Sequence, residues 1–281
     1  MSEIMIKAYA KLNMFLHVLS IDRKKDCCQL ETVFMKIPNI YDEIYVADSE
    51  KLSLEFDNCV IDNTNNTILK AIRLVEKFAG IKIRMRINIR KKIPLGSGLG
   101  GSSADAVALL LLLKERYSLS DIILTNIARL VGYDVLPMMV LQKCRSDQYV
   151  YVCNNYIKVY TYSNTHKWYL LIVHANICTN TKEVFDLFKK KNSNYNMSSP
   201  VWNNVDFSLL ENSITKYAEE CFVELRKLKE MLNQIDDCYF LRMTGSGSSF
   251  FMAFHTYIMC FKNFVMLRNI LPDAFLEIVC V

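Results

Sequence analysis

Residues 91–106 read Lys-Lys-Ile-Pro-Leu-Gly-Ser-Gly-Leu-Gly-Gly-Ser-Ser-Ala-Asp-Ala, and Val107–Leu113 continues them as an unbroken apolar run. Four of the eight glycines, Gly96, Gly98, Gly100 and Gly101, fall within six residues. Residues 81–90 alternate, with Ile81, Ile83, Met85, Ile87 and Ile89 on one face and Lys82, Arg84, Arg86 and Arg90 opposite. That period is a half-exposed strand whose charges form a solvated face. The unit is therefore strand, glycine loop, helix. Glycines let a backbone come close to an anion, and the first N–H groups of a helix point at it. The Gly-Lys-Ser/Thr ending of a Walker loop is missing, and so is the dinucleotide fingerprint. A glycine cluster is also the composition of a flexible linker. Against a linker, Pro94 stiffens the approach, and Ser102, Ser103 and Asp105 are spaced to cap the helix that follows.

The rest of the chain reads as mixed strands and helices. Strands are expected over 4–20, 30–37, 43–47 and 52–56, with Pro38-Asn39 as a break. A polar loop at 62–67 leads into a helix over 68–79 that Gly80 stops. Helices are expected at 102–116 and 121–131, the second ended by Gly132–Pro137. Strands follow near 149–160 and at 168–174, then a helix at 181–189 and a polar loop at 190–204. An amphipathic helix at 219–233, strands at 239–243 and 249–254, a helix at 256–269 and a strand at 275–280 complete the chain. The fold class is α+β in two halves, divided near a composition shift at 155–168.

The chain has 281 residues, 52% of them hydrophobic, and a formal charge of +5 without a basic tract interleaved with aromatics. Nucleic acid is not the expected partner, and Val107–Leu113 is too short to span a bilayer. Ten cysteines are irregularly spaced without a CxxC, and the four histidines are scattered. A reduced, cytoplasmic protein without a metal framework is expected.

Three short motifs could carry chemistry. In Ala8-Tyr9-Ala10-Lys11-Leu12-Asn13, Lys11 and Asn13 share one face of a strand; the plain alternative is an edge strand with a solvated face. The second motif is the loop 94–105. The third, Met243-Thr244-Gly245-Ser246-Gly247-Ser248-Ser249, reads on its own as a hairpin turn. Asp134, between a helix end and a proline, reads on its own as a turn or cap residue.

Taken together, Ala10–Leu16, Asn66, Pro94–Ala106, Gly132–Val135, Thr181 and Thr244–Gly247 resemble the GHMP kinase superfamily, and within it the diphosphocytidyl-methylerythritol kinase branch of non-mevalonate isoprenoid synthesis. The likeness runs from about residue 8 to about residue 255. It implies a two-lobed fold: an N-terminal ATP-binding lobe like domain 2 of ribosomal protein S5 over 1–160, and a ferredoxin-like lobe over 161–281. It implies phosphorylation of the 2-hydroxyl of a diphosphocytidyl small molecule by ATP with Mg²⁺, in a monomer or homodimer with no membrane partner. ATP is implied at Asn66, Pro94, Leu95, Gly96, Ser97, Gly98, Leu99, Gly100, Gly101, Ser102, Ser103 and Ala104. Asp134 is implied as the base and Lys11 as its cationic partner. Asn13, Cys27, Cys28, Thr181, Thr244 and Gly245 fall at acceptor positions.

The pattern is broken in three places. Cys27 and Cys28 stand where the branch has a tyrosine and a histidine that recognise cytosine, and a thiol neither stacks nor pairs like those rings. His17 and nearby tyrosines are the alternatives for that role. Leu136 is an extra residue between Val135 and Pro137, which threatens to displace Asp134. Ser102 and Tyr9 replace a common glycine and proline. A kinase with another acceptor, or a degenerate nucleotide-binding paralogue, are the rival readings. Transfer to a cytidine-free alcohol, or binding without transfer, would distinguish them.

Overall fold

The computed structural model describes residues 3–24, 26–57, 66–145, 147–154, 156–161, 168–193, 195–197 and 210–280. Residues 62–65 of the polar loop expected at 62–67, and the parts of 155–168 and 190–204 not in these ranges, lie outside the described residues. The chain separates into two compact units, each gathered from several segments. The first holds Met1–Lys11, Lys36–Ile93 and Gly100–Cys144; the second holds Leu12–Met35, Pro94–Leu99 and Arg145–Val281. Strands β1 (Ile4–Asp22) and β2 (Cys27–Asp48) are long enough to contribute to both.

In the first unit, β2 pairs antiparallel with β4 (Met85–Arg90) from Glu43↔Arg90 to Asp48↔Met85, and β3 (Ser53–Phe56) lies parallel to β4. Met85, Ile87 and Ile89 are buried while Arg86 and Arg90 stay outside, so the alternation read from the sequence holds over a shorter strand. Among the described residues, four helices complete the unit: α1 (Thr67–Ala79), α2 (Gly101–Tyr117), α3 (Asp121–Val131) and α4 (Val135–Gln142). Helix α2 is apolar nearly all round and buries Ala104 through Leu110 together with Leu113. A helix without a polar face belongs inside, and each buried Leu or Val contributes about 1.5–3 kcal/mol there.

Two expectations fail here. Strand β2 runs through Pro38-Asn39 without a break. Its ladders with β5 (Gln148–Cys153) and β4 cover Glu31–Phe34 and Glu43–Asp48, so neither of these two needs an N–H from Pro38; β1 is a third partner of β2. The break at Gly132–Pro137 is also shorter than expected. Helix α4 begins at Val135 and takes Pro137 into its first turn, where the missing N–H has no intrahelical partner to lose.

In the second unit, β5 forms a hairpin with β6 (Tyr156–Thr161) beside Glu31–Phe34 of β2. A separate antiparallel sheet has the order β10 (Phe275–Cys280), β7 (Tyr169–His174), β9 (Phe250–Phe254), β8 (Phe240–Met243). Helices α5 (Thr181–Lys191), α6 (Thr215–Cys221) and α7 (Val223–Leu232) lie between β7 and β8 in sequence, and α8 (Tyr257–Ile270) between β9 and β10. Strands, helices and order together make a βαββαβ ferredoxin-like arrangement. The single helix expected at 219–233 is two, because Phe222 is extended at φ −129° and ψ 99°. The core gathers Leu171, Val173, Phe188, Phe250, Met252 and Phe254.

Candidate functional site

The first unit supplies the far end of the glycine loop and the charged pair. Gly100 precedes α2 with φ +77°, a left-handed conformation that glycine adopts without strain. No side chain caps α2. Ser102 and Ser103 lie in its first turn, and Asp105 is turned into the interior, so the capping expected of these three is absent. The leading N–H groups of such a helix are the ones that bind anions. A Cβ at Gly100 would sit 2.9 Å from Lys11 Cε and 3.2 Å from Met138 Sδ, so the lysine stem lies on the glycine backbone. Lys11 Nζ reaches Asp134 Oδ2 at 3.5 Å; the lysine side chain is 3% exposed and the aspartate 40%. Burial lowers the Lys11 pKa, and the Asp134 carboxylate opposes that shift. Asp134 immediately precedes α4, and the extra Leu136 leaves it within reach of Lys11. Asn66 caps α1, its side-chain oxygen accepting from Ile68 N at 2.8 Å and Leu69 N at 3.4 Å.

The second unit supplies the near end of the loop, Pro94–Leu99, and joins it to the turn between β8 and β9. Ser248 N donates to Gly96 O at 3.2 Å and Ser249 N to Ser97 O at 3.0 Å. A Cβ on Gly98, at φ +76°, would meet Thr244 O at 2.4 Å and Gly247 O at 2.7 Å. Thr244 accepts from Asn13 N through its hydroxyl at 2.9 Å, and Thr181 Oγ1 lies 2.6 Å from Ser246 Oγ. Asn13 Nδ2 donates to Thr32 Oγ1 at 2.8 Å. Thus the third motif is the expected hairpin turn, and it is also the bed on which Gly96–Gly98 rest. We expect Gly98→Ala to cost on the order of 1–3 kcal/mol, from the left-handed backbone and the clash with two carbonyls. A thermal melt checks this; an unchanged melting temperature would refute it.

The GHMP kinases N terminal domain family matches residues 66–140 of this chain. A 4-diphosphocytidyl-2-C-methyl-D-erythritol kinase of Ehrlichia canis is 30% identical over 263 residues, covering 91% of this chain and 90% of the relative. The chain is a GHMP kinase of the 4-diphosphocytidyl-2-C-methyl-D-erythritol kinase family. Another relative of that name, from Anaplasma phagocytophilum, is 30% identical over 98% of this chain and 94% of its own length. A crystal structure of 4-(cytidine 5'-diphospho)-2C-methyl-D-erythritol kinase shares the fold with a TM-score of 0.75 at 22% identity, covering 98% of this chain and 99% of that one. Homoserine kinase from Cytophaga hutchinsonii shares it at a TM-score of 0.65 and 16% identity, covering 100% of this chain and 94% of the other. As a GHMP kinase, this protein is an ATP-dependent small-molecule kinase.

Other features of this GHMP kinase were not visible in its sequence. Asn212 Nδ2 donates to Met243 O at 2.8 Å and Gly245 O at 2.7 Å, bracing the second glycine turn. A lone asparagine carries no signal in a sequence. Cys28 is buried in the apolar core of the second unit, and burial pushes its thiol up to about 11. Cys27 is half-buried. His17 is buried too, with Nδ1 3.4 Å from Glu31 Oε2 and its ring 4.7 Å from that of Phe15. Tyr151 donates to Glu31 Oε1 at 2.6 Å. Among the described residues no group of three or more His, Cys, Asp or Glu could hold a metal ion, and no helix is long and apolar enough to cross a membrane. A metal carried by nucleotide phosphates fits this donor set, because Mg²⁺ keeps several waters and needs few protein ligands.

Proposed function

We propose that this GHMP kinase transfers the γ-phosphoryl group of ATP to the 2-hydroxyl of 4-diphosphocytidyl-2-C-methyl-D-erythritol. The observation that supports this most is the buried Lys11 ammonium, held against Gly100 at the head of α2 and 3.5 Å from Asp134. Phosphoryl transfer needs positioning and charge stabilisation more than covalent chemistry. The half-exposed Asp134 carboxylate accepts the proton of the attacking hydroxyl. Lys11 orients that carboxylate and offsets charge on the moving phosphoryl group. Residues 94–104 cradle the phosphates, Asn66 lies by the nucleoside, and Asn13, Thr181, Thr244 and Gly245 position the acceptor. Bound with ATP, Mg²⁺ would supply neutralisation of phosphate charge, and no protein ligand is assigned to it.

A coupled assay of ADP release, with and without the diphosphocytidyl acceptor, tests the reading. ADP formed only with that acceptor supports it. The burial of Cys28 favours one second reading, a kinase of the same mechanism with a different acceptor, because a thiol in the core offers a base edge nothing. ADP release with cytidine-free alcohols and none with the diphosphocytidyl compound would establish that second reading instead.

A further inference from the structure

Three buried charged groups of the first unit have no role in the reaction as written above. Lys91 Nζ lies 2.6 Å from Asp105 Oδ2 and also donates to Asp42 Oδ2; the three side chains are 5%, 2% and 0% exposed. Asp42 Oδ1 accepts from the N–H groups of Lys92 at 2.5 Å and Ile93 at 2.8 Å, the last two residues before Pro94. Asp105 is in the second turn of α2. A Cβ on Gly101 would stand 3.1 Å from Ile93 Cγ2 and 3.3 Å from Lys91 Nζ, so the two ends of the glycine loop meet over this cluster.

The cluster holds one cation against two carboxylates. With both carboxylates ionised, a net negative charge is buried directly behind the helix terminus that is read as the phosphate site. Asp105 Oδ1 has no hydrogen-bond partner among the described residues. A buried carboxylate oxygen without a donor favours the neutral acid. Burial pushes Asp105 up to about 7, with Lys91 opposing the shift and Asp42 adding to it. Burial lowers Lys91, but the two carboxylates outweigh it and hold its pKa above the ordinary lysine value. Helices α1, α3 and α4, which pack on α2, bury only apolar residues. Among the described residues, Lys91 from the end of β4 and Asp42 from β2 are therefore the charged groups that face Asp105.

We propose that Asp105 takes up a proton when the nucleotide binds, so that the charge behind the glycine loop is neutralised as the phosphates arrive. The carboxylate accepts this proton from solvent, and no other bond changes. Asp105 touches no substrate; it is a positioning residue acting through Lys91 and α2. The proposal rests on the reading of residues 94–104 as the phosphate site. The sign follows from linkage. A group that is protonated more fully in the complex makes binding tighter at low pH and weaker as pH rises through its pKa in the free protein. A displacement of one pKa unit on binding corresponds to about a tenfold loss of affinity across that window.

The test is calorimetric titration of the full chain with Mg·ADP between about pH 6 and about pH 8.5, in buffers of different ionisation enthalpy. The wild type is expected to take up part of a proton near neutrality and to lose affinity several-fold as pH rises. Asp105→Asn is expected to bind at every pH, without that uptake and without that loss. Groups other than Asp105 contribute alike in both proteins, so the difference between them isolates Asp105. Asp42→Asn keeps an oxygen for the Lys92 and Ile93 N–H groups but removes the like charge, and should move the transition to lower pH; this variant decides the matter if Asp105→Asn does not fold. Equal pH dependence in wild type and Asp105→Asn, or an unmoved transition in Asp42→Asn, would overturn the proposal alone. Folded wild type that binds no Mg·ADP at any pH would overturn the phosphate-site reading, and the proposal with it.

Discussion

Asp134→Asn is expected to lower kcat by about 10²–10⁴-fold, the range for loss of a positioned general base, while nucleotide affinity changes by less than about threefold. The asymmetry follows from where the carboxylate sits. Asp134 is 40% exposed at the start of α4, so its open side can face an incoming hydroxyl. An asparagine has nearly the same shape but cannot take the proton. It also removes the Asp134 charge that raises the pKa of the buried Lys11 ammonium, so the lysine pKa falls further. The alkaline limb of the residual activity should therefore move to lower pH. Steady-state kinetics together with equilibrium nucleotide titration measures both effects. Turnover near the wild-type level would remove Asp134 from the mechanism.

Lys11→Ala is expected to reduce kcat by about 10²–10³-fold, by analogy with removal of one donor that stabilises transition-state charge. Nucleotide affinity should fall much less. Because burial lowers the Lys11 pKa, the ammonium is lost at lower pH than an ordinary lysine would lose it. The kcat/KM of the wild type should accordingly fall on the alkaline side before the usual lysine range, and Lys11→Arg should carry that limb upward. The stem also fills the space over Gly100, so truncation opens a void beside Met138. A modest drop in melting temperature should accompany the kinetic loss. Should affinity fall more than turnover, Lys11 would be a nucleotide-binding residue instead.

Elements with strong local signals were legible. Helix α1 starts after the Asn66 cap and ends at Gly80 with φ +65°, as its sequence indicates. The later part of the alternation at 81–90 became β4, and all but the first residue of the apolar run at 168–174 became β7. The failures came where tertiary context overrode local grammar. Pro38 sits in a strand, in the gap between the β5 and β4 ladders. Phe222 splits a helix whose amphipathic pattern is continuous. Asp105 looked like a capping residue because spacing alone does not reveal that Lys91 and Asp42 wait behind it. The turn at 244–249 looked like a plain hairpin because its role as a bed for Gly96–Gly98 rests on contacts more than 140 residues apart, such as Ser248 N to Gly96 O.

The sequence by itself determined the family and the chemical groups: a glycine loop before an apolar helix, a lysine on an early strand, an aspartate before a proline-bearing turn. Backbone preference and residue chemistry are local properties, and they survive translation into structure. Only the tertiary structure decided which charges are buried and against what. It put Lys11 within 3.5 Å of Asp134, sank Cys28 into the core, and closed the ends of the glycine loop over Lys91, Asp42 and Asp105. Burial and long-range pairing set proton affinities, and neither is written in the spacing of residues along a chain.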